Sequence, residues 1–361
     1  MKIFANYLPQ FHIIPENDEY WGKNFTDWVS CKNAKSLYKG HLQPKEPLNK
    51  NYYSLDNVDS IRWQTELAKK YGIDGFAIYH YWFHDGLNLL TKPAEIIRDN
   101  KDIDIQYFFI WDNKSWKKTW SALTGEASWT SNQTKETKVL AELVYGDKKE
   151  WKAHFDFLLT FFKDNRYLKI DNKPVFALFT TYKNYDTLKN IEQYWNMLCI
   201  KNGFNGIYMV SREDYKQKQF EHSFVYTPFA PANWTDYIFQ KVKRIIGKNK
   251  VKKYDYDMLW KRILKQSRKY KSNVFLSGFV DFDDTPRRGE NGNVVIGATP
   301  EKFENYLKEL LKIAKRNKSE VTLVTAWNEW GEGCFLEPDT KNKYRYLEAL
   351  NRAIDATKFE N

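Results

Sequence analysis

The feature that most constrains the fold of this 361-residue chain is a recurrence of short runs rich in apolar, β-branched or aromatic residues. Eight such runs lie at residues 3–7, 75–81, 105–111, 175–180, 206–211, 224–227, 274–280 and 321–326. Helical periodicity falls between most of them, at 58–71, 92–100, 151–165, 188–202, 256–270 and 301–316, with 344–356 after the last. Buried strands that alternate with helices indicate βα units, and eight units favour a (β/α)8 TIM barrel, an α/β fold, over a doubly wound sheet.

Two of the loops that follow these runs are long, at 8–57 and 113–149. The active site of a TIM barrel lies at the carboxyl ends of its strands, and long loops in a compact domain usually carry function. The sequence shows no internal repeat, low-complexity tract or linker. We therefore expect one catalytic barrel domain over residues 1–361, with long βα loops around the site.

Polar and aromatic side chains follow directly after several of the runs, where a barrel would gather them. The predicted substrate-binding residues at these strand ends are Tyr79, His80, Tyr81, Trp82, Trp111, Asp112, Asn113, Asp281, Trp327 and Asn328. Trp21, Trp28 and Trp116 lie in the long loops, and their flat apolar faces suit the stacking of a sugar ring. His12 and His41, in the first loop, are either sugar ligands or loop histidines with protein partners.

Two glutamates, Glu329 and Glu332, lie among tryptophans and glycines directly after the last run. If the chain turns helically there, residues three apart share a face with Cβ atoms about 5–6 Å apart, close to the carboxylate separation of retaining glycosidases. Crowding of like charges among aromatic rings would raise the pKa of one carboxyl and produce an acid and a base. The alternative is that one glutamate caps the following helix. We predict that this pair is catalytic.

A second constellation is Asp281-Phe282-Asp283, which is similar to the Asp-x-Asp metal motif of sugar-nucleotide glycosyltransferases. It follows the seventh run rather than a nucleotide-binding sheet, so hydrogen bonding to substrate by Asp281 or Asp283 is favoured over a metal. The nearby Arg287 and Arg288 would suit an acidic sugar or a phosphate. We predict no metal and no cofactor at the catalytic pair.

The net charge of +11 comes from lysines spread over polar helix faces, with one dense basic run at 241–253. That run is either a solvated helix and loop or a peripheral contact with anionic lipid or a lipid-linked phosphate. No nucleic-acid partner is predicted. Three cysteines without Cys-x-x-Cys spacing indicate a reducing compartment, and no signal peptide or membrane-spanning run is evident. We expect a cytoplasmic protein.

Several segments together resemble one family, the WbsX proteins, which are described as polysaccharide-biosynthesis glycosyltransferases and are similar to the family 99 glycoside hydrolases. The matching segments are 7–12, which includes Tyr7 as a further substrate-binding candidate, 21–28, 40–44, 71–76, 79–83, 285–289 and 327–333. The resemblance implies a (β/α)8 barrel that acts on α-linked glycans such as mannosides, within cell-surface polysaccharide metabolism.

The resemblance also implies a mechanism without metal. Glu329 would take the proton of the sugar 2-hydroxyl, which attacks the anomeric carbon to form a 1,2-anhydro sugar, while Glu332 protonates the leaving oxygen. Glu332 would then serve as base for water or an acceptor sugar. The substrate would be an oligo- or polysaccharide, in free or lipid-linked form.

One segment departs from the family pattern. Where that pattern reads Trp-Ala-Asn-Glu-Asn-Trp, this chain has Trp111-Asp112-Asn113-Lys114-Ser115-Trp116, so an acid is replaced by Lys114 and another has arisen at Asp112. Two further hypotheses stay open: a glycosyltransferase that uses a sugar nucleotide and a metal at Asp281 and Asp283, and a carbohydrate-binding protein with a degenerate site.

Overall fold

Eight parallel strands form a closed ring at the centre of the protein. The computed structural model describes residues 1–117, 139–181, 184–212, 220–229 and 251–358. The strands are β1 (Lys2–Tyr7), β2 (Gly75–Trp82), β3 (Gln106–Trp111), β4 (Lys173–Leu178), β5 (Tyr208–Arg212), β6 (His222–Phe224), β7 (Val274–Phe279) and β8 (Val321–Thr325). Neighbours in the chain pair in parallel, and β8 closes the ring against β1 with Lys2 opposite Val321. The predicted (β/α)8 barrel is confirmed.

Helices surround this ring. They are α1 (Pro15–Trp21), α2 (Asp27–Asn33), α3 (Val58–Lys70), α4 (Lys92–Asp99), α5 (Lys148–Phe162), α6 (Tyr185–Lys201), α7 (Tyr256–Ser267), α8 (Thr285–Arg288), α9 (Pro300–Arg316) and α10 (Arg345–Lys358). Four of the long helices begin where a side chain accepts a hydrogen bond from the first turn, at Asn57, Asp147, Asp255 and Thr299. None of the described helices combines the length and the hydropathy that a membrane span requires.

Shorter elements decorate the strand ends. Three two-stranded pairs join Trp116–Lys117 to Val139–Ala141, Lys252–Asp255 to Asn293–Ile296, and Asn328–Glu329 to Cys334–Phe335. The short strand Asn88–Leu89 pairs with β2, and Lys169–Ile170 pairs with β4. The 3-10 turns lie at Leu48–Lys50, Gly289–Asn291 and Trp330–Glu332. Of the basic run at 241–253, residues 241–250 lie outside the described part of the chain. Its last residues begin the strand Lys252–Asp255, where the Lys253 ammonium lies 3.3 Å from the ring centre of Tyr38.

The sixth strand differs from its predicted bounds of 224–227. It spans His222–Phe224 and therefore begins and ends earlier in the chain than predicted. The Val225 N–H still bonds the Phe275 carbonyl at 3.1 Å, and Tyr226 then lines the cavity described below.

The strand β2 divides its aromatic side chains between two sides, because successive residues of a strand point in opposite directions. Tyr79 and Tyr81 line the cavity at the end of the barrel. His80 points to the helix layer, where its Nε2 lies 2.8 Å from Nε2 of His154 on α5, and the His154 ring stacks on Trp82 at 4.5 Å. His80 and Trp82, predicted to bind substrate, therefore lie in the packing between barrel and helix.

The buried His80–His154 pair predicts sensitivity to acid. Burial lowers the pKa of His80 to about 3 and that of His154 well below its usual value. Because the unfolded histidines bind protons near pH 6.5 and the folded ones do not, stability is complete above pH 6.5 and falls as the pH drops towards the folded pKa. At pH 5 the expected loss from His80 is about 2 kcal/mol, and His154 adds to it in the same direction.

Urea unfolding at pH 7.5 and pH 5 measures this loss. The double variant His80→Gln/His154→Gln should lose less stability than wild type between the two pH values. His84→Gln, in the loop after the same strand, serves as the control. An equal loss in the double variant and wild type would assign the acid sensitivity to other groups.

Candidate active site

A cavity of about 370 Å³ opens at the carboxyl ends of the barrel strands. It is lined by Leu8, Tyr79, Tyr81, Asp112, Lys114, Ser115, Trp116, Phe179, Tyr226, Arg287, Arg288, Glu329 and Glu332. Seven of the eight strands contribute through their ends or the loops that follow, as the barrel fold requires of a site. Five aromatic rings and two glutamates therefore surround this cavity.

The two glutamates are brought together by one turn of chain. Glu329 ends the short strand that pairs with Cys334–Phe335, and the 3-10 turn Trp330–Glu332 follows it directly. Arg287 Nη2 donates to Glu329 Oε1 at 2.8 Å, and its Nη1 donates to Glu332 Oε1 at 2.9 Å. One guanidinium thus binds both carboxylates, so the helical turn expected from the sequence places the pair on one face.

Arg287 is in turn oriented by Asp27, the first residue of α2. Its Nε and Nη2 donate to the two oxygens of Asp27 at 3.2 and 2.8 Å, in the two-pronged geometry that a planar guanidinium favours. The chain passes this ion pair so closely that a Cβ on Gly331 would lie 2.4 Å from Asp27 Oδ2 and 2.6 Å from Arg287 Nε. At position 331, only glycine fits without displacing the ion pair of Asp27 and Arg287.

The environments of the two glutamates differ. The Glu329 side chain is 4% exposed and that of Glu332 is 25% exposed, so Glu332 is the one more open to the cavity. Burial raises the pKa of Glu329 well above its usual value, the charges of Glu332 and Asp27 raise it further, and Arg287 opposes the shift. Glu329 is therefore a stronger proton acceptor, once ionised, than an ordinary carboxylate.

The buried carboxylate of Glu337 supports the turn that carries the two glutamates. The buried Glu337 accepts hydrogen bonds from Trp330 Nε1 at 2.6 Å, from the Tyr53 hydroxyl at 2.8 Å and from Gln64 Nε2 at 2.7 Å, and burial raises its pKa to about 7. Trp330 also stacks on Phe335 with ring centres 3.6 Å apart. Trp330, which lies between Glu329 and Gly331 in the chain, is thus fixed in one orientation.

A second cavity, of about 470 Å³, lies on the other side of the Glu332–Gly333 backbone, among the loops after β1, β7 and β8. His41 lines it and donates from Nε2 to Asp283 at 2.8 Å, since its Nδ1 accepts from the Leu37 N–H. Asp281 also lines it and accepts from the Lys45 ammonium at 2.9 Å. These two predicted substrate ligands are therefore engaged with protein partners outside the cavity that holds the glutamates.

The carboxylate of Asp283 is fully used by protein donors. Its Oδ2 accepts from His41 and Gln43, and its Oδ1 accepts from the N–H and hydroxyl of Thr285. A metal at the Asp281/Asp283 pair would have to displace these bonds. No cluster of three or more His, Cys, Asp or Glu side chains suited to a metal occurs among the described residues.

Several other predicted substrate ligands are structural contacts. Tyr7 donates its hydroxyl to Gln64 at 2.7 Å, and the side-chain amide of Asn328 bonds both the N–H and the carbonyl of Leu8, at 2.8 and 3.0 Å. Asn113 likewise bonds both backbone groups of Thr180. The remaining members lie buried away from the cavity lining: His12, whose pKa burial lowers, Trp21 at the end of α1, Trp28 against Trp330, Trp111 with its Nε1 on the Trp82 carbonyl, and Trp327 against Phe76.

Tyr79, Tyr81, Asp112, Trp116, Arg287, Arg288, Glu329 and Glu332 do meet in the cavity, as predicted. Sequence reasoning missed Asp27, Phe179 and Tyr226. The last two follow β4 and β6 directly, so the strand-end rule could have found them. Tyr226 accepts a hydrogen bond from the Tyr79 hydroxyl at 2.8 Å and packs edge-on against Phe179.

The fold and the site together define a (β/α)8 barrel with a buried carboxylate pair at the carboxyl ends of its strands. Residues 3–350 match the family described as Glycosyltransferase WbsX, and the chain belongs to this family of enzymes. Among curated proteins it is 26% identical to WxcX of Xanthomonas campestris pv. campestris over 98% of the chain. The chain spans 49% of the length of WxcX, about half.

Solved structures share the fold at low sequence identity. The GH99 endo-α-mannosidase of Bacteroides thetaiotaomicron, in complex with bis-tris propane, matches with a TM-score of 0.60 and 11% identity over 99% of this chain and 97% of that one. A protein described as glycoside hydrolase-like matches with a TM-score of 0.58 and 13% identity over 98% and 93% of the two chains. These similarities support the barrel architecture.

Proposed function

We propose that the protein cleaves or transfers α-glycosidic bonds with retention of configuration, using Glu329 and Glu332 and no metal, in cell-surface polysaccharide metabolism. The observation that carries the proposal is that the Arg287 guanidinium binds the carboxylates of both Glu329 and Glu332 in a cavity lined by aromatic rings. Membership of the WbsX family and the barrel shared with an endo-α-mannosidase support a carbohydrate substrate.

The proposed reaction assigns each proton. Glu329 accepts the proton of the sugar 2-hydroxyl while that oxygen attacks the anomeric carbon, and the bond to the leaving oxygen breaks as Glu332 donates a proton to it. In the second step Glu332 takes the proton of water or of an acceptor hydroxyl as it attacks the anomeric carbon, and Glu329 returns its proton to the 2-oxygen. The two displacements together retain the configuration.

The geometry suits these roles. A general base works best when its pKa lies near the working pH, and the raised pKa of Glu329 moves this carboxyl in that direction. The ion pair with Arg287 opposes full protonation and keeps an ionised fraction available. Glu332, more exposed and in the cavity wall, is placed to reach a leaving group and then the incoming water or sugar.

The test is product analysis without any activated donor. We expect the wild-type protein, incubated with a panel of α-linked oligosaccharides in EDTA, to give shorter products or transfer products detectable by mass spectrometry. NMR during the reaction should show the newly released anomer with α configuration. Products that form only when a sugar nucleotide and Mn²⁺ are added would overturn the proposal in favour of a metal-dependent glycosyltransferase.

A further inference from the structure

The end of β3 presents two charged side chains to the cavity on either side of a pinned residue. Asn113 is held by Thr180 through two hydrogen bonds of 2.7 and 2.8 Å, and the Asp112 N–H continues the sheet by bonding the His80 carbonyl at 3.0 Å. Asp112 and Lys114 flank Asn113, and both line the cavity with Glu329 and Glu332. The backbone at this position is therefore held by the bonds of Asn113 and of the sheet.

Asp112 differs from the other carboxylates that surround the site. Asp27, Glu329 and Glu332 each accept a hydrogen bond from Arg287. The Oδ1 atom of Asp112 is shielded from solvent and has no hydrogen-bond partner among the described residues. A buried carboxylate oxygen without a donor is costly, so a group that brings a donor into the cavity regains that free energy on binding.

The charges around Asp112 indicate the kind of donor. The carboxylate faces the cations of Lys114 and Arg212 and, across the cavity, the carboxylate of Glu332, while burial raises its pKa to about 6. Because two cations already offset its charge, the missing partner does not have to be positive. The surrounding rings of Tyr81 and Trp116 suit the apolar face of a sugar whose hydroxyl points at Asp112.

We propose that Asp112 selects the substrate: its carboxylate, which lines the cavity, accepts a hydrogen bond from one free hydroxyl of the sugar held against Glu329 and Glu332. Glycans in which that hydroxyl is absent or substituted bind poorly. The inference rests on the proposed function for the identity of the ligand as a sugar. In this proposal residue 112, directly after β3, discriminates among sugars, and the two glutamates carry out the chemistry.

The experiment measures binding without turnover. The variant Glu332→Gln is titrated calorimetrically with the α-linked disaccharides of glucose, galactose and mannose, and the tightest binder is then titrated against Glu332→Gln/Asp112→Ala and Glu332→Gln/Asp112→Asn. Loss of a hydrogen bond to a charged group is expected to weaken binding by about 10- to 100-fold for the alanine variant, with a smaller loss for asparagine. Asp156→Asn, exposed on α5, is the matched control and should bind as the parent does.

Monodeoxy analogues of the same disaccharide identify the hydroxyl. One analogue should bind the parent weakly, and the penalty for that one deletion should disappear in the Asp112→Ala variant, while unfolding midpoints of all variants stay close together. Equal affinity of parent and Asp112 variants for the disaccharide, or no binding of any disaccharide to the parent, would overturn the inference. Cleavage of oligosaccharides with unchanged kcat/KM in Asp112→Ala would overturn it while leaving the proposed function intact, whereas Asp112-dependent binding without any cleavage would overturn the proposed function alone.

Discussion

Glu332→Gln should lower the rate of glycoside cleavage by about 10²- to 10⁴-fold, because proton transfer by a positioned carboxyl contributes a factor of this size. Glutamine keeps the shape of the side chain and an oxygen that can accept from Arg287 Nη1, and the side chain is 25% exposed. The free energy of unfolding should therefore stay close to that of wild type. Steady-state kinetics and urea unfolding on the same preparation measure the two quantities.

The nature of the leaving group separates the two glutamates. The fluoride of a glycosyl fluoride leaves without protonation, so the defect of Glu332→Gln should shrink on this substrate. The defect of Glu329→Gln should remain because the 2-hydroxyl still needs a base. Equal cleavage by wild type and Glu332→Gln on the ordinary glycoside would remove Glu332 from the role of acid.

Wild-type activity should also rise with pH around a midpoint well above 4.5, since Glu329 must be ionised and its pKa is raised by burial.

Arg287→Met should both unfold the protein more easily and abolish cleavage. The side chains of Arg287, Asp27 and Glu329 are each 4% exposed, so removal of the cation leaves buried carboxylates without their partner. Breaking a buried ion pair by deleting one partner typically costs about 3–5 kcal/mol. Urea unfolding at pH 7.5 measures the loss of stability.

The neighbouring Arg288 provides a matched control. It carries the same charge and also lines the cavity, but its side chain is 56% exposed and it pairs with Asp284 at 3.2 Å. Asp284 is buried, but its two oxygens keep hydrogen bonds from the N–H and the side-chain amide of Asn293, so Arg288→Met should be much more stable than Arg287→Met. If the two variants unfold at the same urea concentration, the shared ion pair does not stabilise the fold as the structure indicates.

The sequence was sufficient for the barrel because its information is local and repeated. Each buried parallel strand is a short apolar run, most of the long helices have their own periodicity, and Glu329 and Glu332 are neighbours in one turn. The strand bounds shift by one to three residues, most at β6, because an apolar run does not mark where the ladder hydrogen bonds end.

The partners of the glutamates could not be predicted in the same way. Arg287 and Asp27 meet across 260 positions of sequence, and nothing local marks Asp27 as their contact. His80 is a substrate candidate in the sequence because it lies at a strand end. Every residue of β2 is buried, so the sequence pattern does not tell which side of the strand faces the cavity. The sequence also marks Asn113 and Asn328 as candidate sugar ligands. Their amides instead bind the backbone of Thr180 and Leu8, which lie far from them in the chain, so only the fold reveals this role.

The two-sided attachment of Asn113 has a consequence for how such an enzyme can change its preference. The wall that carries Glu329 and Glu332 is tied together by Arg287, Asp27, Glu337 and the Asn328 bonds to Leu8, so that most substitutions there disturb several partners at once. On the β3 wall the backbone is held by the side chain of Asn113 and by the bond from the Asp112 N–H to the His80 carbonyl, and neither of these uses the side chains at 112 and 114. If Asp112 selects the substrate as proposed, substitutions at 112 and 114 would change the preferred glycan while the hydrogen bonds of Asn113 stay in place.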